Sequence, residues 1–416
     1  MAETEAMSHN PYAVLKIRDF NLFITARLLV TLAIMVQAVV VGWQIYEITK
    51  DPLALGLIGL AEAIPAITVS LYAGHLADVV ERKKIIVVCL ITLVLCSFAL
   101  LFFTFNIGAF ILANGALPIY VVIFASGIAR GFLSPANFSF MPQLVPRDLY
   151  QNAIVWNSTL WEGAAVGGPI LGGLIYGYFD ITAAYTADAA LMVMGLFCVL
   201  LIPNRPLPPI SEEQSVFAKI KAGIKFVFKN QIILGAITLD LFAVLFGGAV
   251  ALLPIFADDI LHVGKEGLGF LRAAPGIGAV VMAVYMTRHP LKKNMGMILL
   301  FCVAGFGACM IGFGLSTYFW LSMALLIASG MFDCVSVIVR STLIHTLTPE
   351  NMKGRVAAVN SIFIGSSNEI GSFESGVAAR LMGVVPSVIF GGVMTLLVVA
   401  VTGWKAVKLR TLQNVK

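Results

Sequence analysis

The segment AGHLADVVERKKII, residues 73–86, places an aspartate, a glutamate, an arginine and two lysines between two long apolar stretches. In a chain of 416 residues that is 59% hydrophobic and 12% charged, such clustering marks a place where the polypeptide meets water. Soluble chains carry roughly 25% charged residues. Here the mean hydropathy is +0.95, and apolar runs recur along the sequence at about the 20 residues a helix needs to cross a bilayer. The solvent for most of this protein is lipid, which excludes an array of soluble domains and a nucleic-acid-binding protein.

Apolar windows predict twelve spans, at about 20–46, 53–78, 85–105, 114–141, 150–177, 182–202, 231–256, 267–288, 294–315, 318–345, 354–380 and 385–406. Backbone groups in hydrocarbon must bond within the segment, so these are helices, and the alternation of barrel strands is absent. Cytoplasmic loops are enriched in lysine and arginine. With the N-terminus inside, twenty of the 27 basic residues fall on the inner side, and only Lys50, Lys265 and Arg380 on the other. Both termini are therefore expected in the cytoplasm, and residues 73–86 contain the inner loop between spans 2 and 3. Residues 1–19 are polar and acidic without the basic start of a cleaved leader, and read as a cytoplasmic segment; 407–416 form a cytoplasmic tail. The six cysteines lie in apolar segments without a CxxC pair and read as small buried hydrophobes.

One long loop, 203–230, lies near mid-chain. It opens PNRPLPP and continues with Phe217, Ile220, Ile224 and Val227 on one helical face among lysines, an amphipathic basic helix suited to the inner membrane surface. On either side the chain repeats itself. A shift of 203 residues aligns FASG (124–127) with IASG (327–330), QLVPRDL (143–149) with TLTPENM (346–352), and AIVWNS (153–158) with VAAVNS (356–361). A shift of 210 aligns GLAEAIP (59–65) with GFLRAAP (269–275). Two six-span halves in parallel orientation, 20–202 and 231–406, are the simplest account.

With that frame, Gly74-His-Leu-Ala-Asp78-Val-Val-Glu-Arg82-Lys83 resembles the loop 2–3 signature of the major facilitator superfamily, departing from it at Val79 and Glu81. The resemblance covers nearly the whole chain and implies an all-α polytopic fold of two pseudo-symmetric six-helix halves that rock about a midplane site. It implies a gate at Asp78, facing a basic residue such as Arg355 across the halves; Arg82 and Lys83 serve equally as topology anchors. Gly168-Pro169-Ile-Leu-Gly172-Gly173 resembles the GPxxGG element common in the superfamily's exporters, where small residues let helices approach closely. ARLLV (26–30) and DPLALGLIGL (51–60) look most like the bacterial siderophore- and drug-exporter branch.

Ionisable groups at membrane depth cost several kcal/mol unless paired or wet, so each is a functional candidate. Arg27, Glu62, Arg130, Asp240, Asp333 and Glu369 are the expected substrate and proton-coupling residues. The repeat aligns Glu62 with Arg272 and Arg130 with Asp333, so equivalent positions carry opposite charge, and the resemblance implies that spans 1, 4, 7 and 10 line the cavity, where Arg130 and Asp333 would face each other and Arg27 and Asp240 could join them. A static ion pair fixing helix register is the competing reading. Arg340 is expected to snorkel to the inner interface. Aromatic neighbours, Trp161 and Phe332 among them, suit either an amphiphilic substrate or plain packing. The expectation is a secondary transporter of the bacterial inner membrane, monomeric and without cofactor or metal, exporting a small organic or amphiphilic molecule against protons. Its rivals are an importer or lipid transporter of the same fold and a non-transporting receptor or assembly factor. The five histidines are scattered, and no phosphate loop occurs, so no enzyme is expected.

Overall fold

The computed structural model describes residues 12–105, 114–206, 216–247, 249–289, 293–349 and 352–412, and within them it contains helices and no strands. The long helices are α1 (Arg18–Thr49), α2 (Pro52–Val79), α3 (Arg82–Phe105), α4 (Leu117–Phe140), α5 (Tyr150–Tyr178), α6 (Ile181–Leu200), α7 (Val216–Lys229), α8 (Gln231–Phe246), α9 (Gly264–Arg288), α10 (Met295–Leu315), α11 (Phe319–Leu347), α12 (Lys353–Met382) and α13 (Val384–Lys405). Each expected span except the seventh coincides with one of them, the seventh being matched only in part by α8, and α7 lies in the central loop. Among the described residues ten segments are long and apolar enough to cross a membrane. Helices α5 and α12 are as long but fall outside that set, being interrupted by Asn, Ser, Thr and Glu.

Local chemistry sets the helix starts. Asp180 accepts the backbone N–H of Ala183 at 2.6 Å to open α6, and Asn230 accepts those of Ile232 and Ile233 to open α8. The seventh span departs from the continuous helix expected over 231–256. Helix α8 stops at Phe246, and the chain continues as a short 3-10 turn (Ala249–Leu252), one α turn (Leu253–Ile255) and a π-helix (Phe256–Ile260). The Gly247-Gly248 pair and Pro254 are the physical reason, since glycine and proline both weaken a helix interior.

The chain forms two compact units, one of Met1–Gln44 and Ile64–Glu212, the other of Ile45–Ala63 and Glu213–Lys416. The end of α1 and the start of α2 thus pack with the second unit. In the first, Phe20, Phe23 and Val30 of α1 meet Ile86 and Leu93 of α3, Leu133 and Phe140 of α4, and Met192 of α6. In the second, Leu239, Leu300, Val339 and Leu343 form the core of α8, α10 and α11. Helix α3 shows why lipid is the right solvent: Ile86, Leu90 and Leu93 are buried, while Val88, Ile91, Leu95, Phe98, Phe102 and Phe105 form an exposed apolar stripe on the other side.

Within a bilayer, lipid tails offset much of the hydrophobic drive, so close backbone approach carries more of the packing. The GPxxGG element does this. A side chain at Gly168 would collide with Met35 of α1, and one at Gly172 would lie 3.1 Å from the Val36 Cα. Pro169 and Gly173 are buried beside them. Helix α7 also packs inward: Val227 is buried against Ile233 and Ile237 of α8, Ile344 of α11 and Val356 and Val359 of α12. Ile224, expected on the same face, is exposed; the side chains of Phe217 and Ile220 lie outside the described residues.

Candidate functional site

In the first unit, α1 and α4 present residues at helical spacing to one cavity of about 170 Å³. From α1 come Arg27, Val30, Thr31 and Ile34, and from α4 come Arg130, Leu133, Ser134 and Asn137, both at i, i+3, i+4, i+7. Phe23, Leu90 and Trp161 extend the wall, and among the described lining residues none is acidic. The Arg27 guanidinium lies over the Phe23 ring, 6.0 Å from its centroid, a cation–π arrangement.

The second unit holds the expected acids. Asp240 on α8 forms a buried ion pair with Arg340 on α11. Asp333, Ser336 and Arg340 follow one face of α11, and Asp333 and Asp240 border one narrow crevice with Phe306 and Phe332. The snorkelling expected of Arg340 is thereby corrected: its side chain is only 3% exposed. Asp240 supplies the countercharge that makes burial tolerable.

A second constellation joins residues named separately in the sequence. Arg272 on α9 lies in the electrostatic field of both Glu62 on α2 and Glu369 on α12. Glu369 is within reach of α2, because a side chain at Gly59 would lie 3.3 Å from its Oε2. Two carboxylates therefore act electrostatically on one guanidinium.

Close to the α1–α2 turn, each of the three basic residues left off the basic side of the chain meets an acid of the second unit. Lys50 bonds Asp258 at 2.8 Å, Lys265 pairs with Glu47 at 3.4 Å, and Arg380 with Asp51 at 3.3 Å. The Tyr46 hydroxyl donates to Asp259, and Lys50 stands 4.4 Å from the Tyr46 ring centroid. The Asp258 bond, with further help from Asp259 and Glu47, raises the Lys50 ammonium above its ordinary range. Asp258 and Asp259 belong to the π-helix, whose wider turn re-aims side chains. Behind this cluster α2 and α12 touch at Gly56 and Gly376, where an added Cβ would lie about 3.0 Å from the facing backbone.

In the first unit the basic side chains of loop 2–3 lie against helix ends. Arg82 donates to the Ser139 carbonyl at the end of α4, and Lys83 to those of Leu200 and Ile202 at the end of α6. Positive groups there complement exposed helix carbonyls. A side chain at Gly74 would meet no described atom within 4 Å; the side chains of Asp78 and Arg355 lie outside the described residues. Sequence reasoning missed Asp258, Asp259 and Asp188. The last is fully buried on α6 beside Ser97 of α3. Its signal was present, as an acid inside an apolar run. For Asp258 and Asp259 the only signal was two adjacent acids just past a glycine pair and a proline.

The family described as transmembrane secretion effector matches residues 9–415. The enterobactin exporter EntS of Escherichia coli O1:K1 is 25% identical over 338 residues, covering 81% of this chain and 79% of that one. Its counterpart from Shigella dysenteriae serotype 1 is 26% identical with the same coverage. Among solved structures, a POT family transporter in complex with 5-aminolevulinic acid superposes with a TM-score of 0.74 at 11% identity, covering 94% of this chain and 96% of that one. A D-xylose-proton symporter gives 0.71 at 13%, covering 93% and 97%. At those identities the structures speak for the fold alone.

Proposed function

The chain belongs to the transmembrane secretion effector family of the major facilitator superfamily, and we propose that it is a proton-coupled exporter of the bacterial inner membrane, moving a small amphiphilic molecule of siderophore or drug type. The observation that supports the coupling is that Glu62 and Glu369 both act electrostatically on Arg272. Ionisable groups at membrane depth are functional candidates by default, and acids that act on one arginine are the minimum apparatus for linking a proton to a conformational equilibrium.

On this reading the termini are cytoplasmic, and the cluster of Lys50, Asp258, Glu47, Lys265, Asp51 and Arg380 is a clamp at the periplasmic end. Its pairs are half-exposed, so each contributes within ~0–1 kcal/mol. Weak contacts suit a gate that must open in every cycle. Driving a two-state equilibrium from 1:99 to 99:1 takes about 5.5 kcal/mol, which a few such contacts, one proton and the substrate supply together.

The test uses inverted membrane vesicles containing the full chain, with enterobactin as the probe because it is the cargo named for the similar exporters. Imposing a proton gradient, acid inside, should drive accumulation, and dissipating the gradient should abolish it. Glu62→Gln and Glu369→Gln should each lose gradient-driven accumulation while keeping passive exchange of enterobactin. Accumulation that ignores the gradient, or survives both substitutions, defeats the coupling; gradient-driven uptake only in right-side-out vesicles reverses the direction.

A further inference from the structure

A cavity of about 320 Å³ lies in the second unit, where α9 ends, α10 begins and α11 passes them. Ala283, Met286, Met295, Ile338 and Val339 make its wall apolar. Thr287 and Thr342 also line it, but their hydroxyls donate to the Val284 and Ile338 carbonyls of their own helices, at 2.7 and 2.8 Å. The volume falls within the roughly 300–1,000 Å³ of ligand cavities, and such a wall suits a hydrocarbon better than a polar solute. This end of the unit is also basic. Arg288 follows Thr287 directly, and Lys293 lies two residues before Met295. A side chain at Gly296 would collide with the Leu409 carbonyl, so the helical turn Val407–Arg410 packs against the start of α10. Segments 285–297 and 404–416 together hold seven lysines and arginines and no aspartate or glutamate.

The matching place in the first unit differs. Under the 210-residue shift Lys83 aligns with Lys293, and Lys83 donates to the helix-end carbonyls of Leu200 and Ile202. Among the described residues, the exposed side chains of Arg288, Lys293 and Arg410 make no hydrogen bond or ion pair. Tyr285 stacks on His289 with ring centroids 4.5 Å apart, and Trp404 is 75% exposed beside Lys405. Amphipathic rings of this kind gather at the level of lipid headgroups. We propose that the cavity is a binding site for an anionic phospholipid, with one acyl chain between α9 and α11 against Met295 and the phosphate at Arg288, Lys293 and Arg410. Basic pockets between spanning helices recognise anionic headgroups in this way. The site is distinct from the acids acting on Arg272, which lies eleven residues before Ala283 on α9, about 16 Å away along the helix. Its occupation depends on the bilayer and not on the transport reading above.

The test titrates the purified full chain in a non-ionic detergent with dioleoyl-phosphatidylglycerol, dioleoyl-phosphatidylcholine or glycerol-3-phosphate. Native mass spectrometry counts the molecules retained per chain. One phosphatidylglycerol should be held about tenfold or more tightly than phosphatidylcholine, a typical yield for a charge-assisted contact. Glycerol-3-phosphate, a headgroup without chains, should not be retained. Arg288→Gln, Lys293→Gln and Arg410→Gln should each weaken phosphatidylglycerol about fivefold, and Arg288→Gln/Arg410→Gln about thirtyfold. Ala283→Phe, which fills the cavity and leaves every cation in place, should weaken it as well. Lys225→Gln/Lys229→Gln, which removes two exposed cations of α7, should change nothing. Thermal melts without lipid establish that each variant is folded. Equal retention of the two lipids, retention of glycerol-3-phosphate, an equal loss in Lys225→Gln/Lys229→Gln, or undiminished binding in a folded Ala283→Phe overturns the proposal.

Discussion

Arg340 and Asp240 sit in the second unit with side chains 3% and 10% exposed. Removing one partner strands the other charge away from water, and breaking a buried pair in this way costs about 3–5 kcal/mol. Arg340→Ala should therefore lower the melting temperature of the detergent-solubilised protein sharply. The double change Arg340→Leu/Asp240→Leu, which removes both charges, should recover most of the loss. If the single change melts like the parent, the pair is not buried as described. Lys50 is the opposite case, largely exposed and bonded to Asp258. Its pKa is raised on folding, so its contribution is fully present below the unfolded value of about 10.4 and is lost only as pH rises through the higher folded value. The Lys50→Gln variant and the parent should thus differ by a constant margin in melts from neutral pH to about 10, converging only above it. A margin that closes near neutrality would show that some other group sets it.

Between helices, glycines decide how near the axes come. Gly172 of α5 admits the backbone of α1 at Val36, and Gly56 of α2 meets Gly376 of α12. Gly172→Leu should prise α5 from α1 and destabilise the first unit by about 1–3 kcal/mol, the usual range for overpacking, read as a fall in melting temperature. Gly376→Leu acts at the clamp, where Glu47 and Lys265 also join α1 to α9. Exchanging those charges, Glu47→Lys with Lys265→Glu, should restore a transport rate that either single reversal lowers. Single reversals without effect would remove the pair from the gating cycle. The GPxxGG element was legible as a packing face because small residues at that spacing have few other uses in lipid. Its partner, α1, was not, since nothing in the string GGPILGG names the surface it meets. The break after Phe246 illustrates the same limit. The glycine pair and Pro254 announce a weak helix, but a π turn that delivers Asp258 to Lys50 and Asp259 to Tyr46 is settled by those long-range contacts.

For the whole molecule, composition and basic-residue placement carried the membrane assignment and the helical class, while the motif at residues 74–83, set in the frame of spans and repeat, carried the superfamily resemblance. The first two are properties of the chain against its solvent: a lipid-spanning segment must be apolar and helical, and cations stay on one side. The same solvent argument picked out Arg27, Glu62, Arg130, Asp240, Asp333 and Glu369, because a charge in hydrocarbon is conspicuous in one dimension. Which charge neutralises which is a different matter. Coulomb energy falls with distance in space, and residues 62, 272 and 369 have no proximity along the chain. Only the tertiary structure brought Glu62 and Glu369 into the field of a common arginine, moved Arg340 from an interface to a buried partner of Asp240, and gave Arg27 and Arg130 one cavity to line.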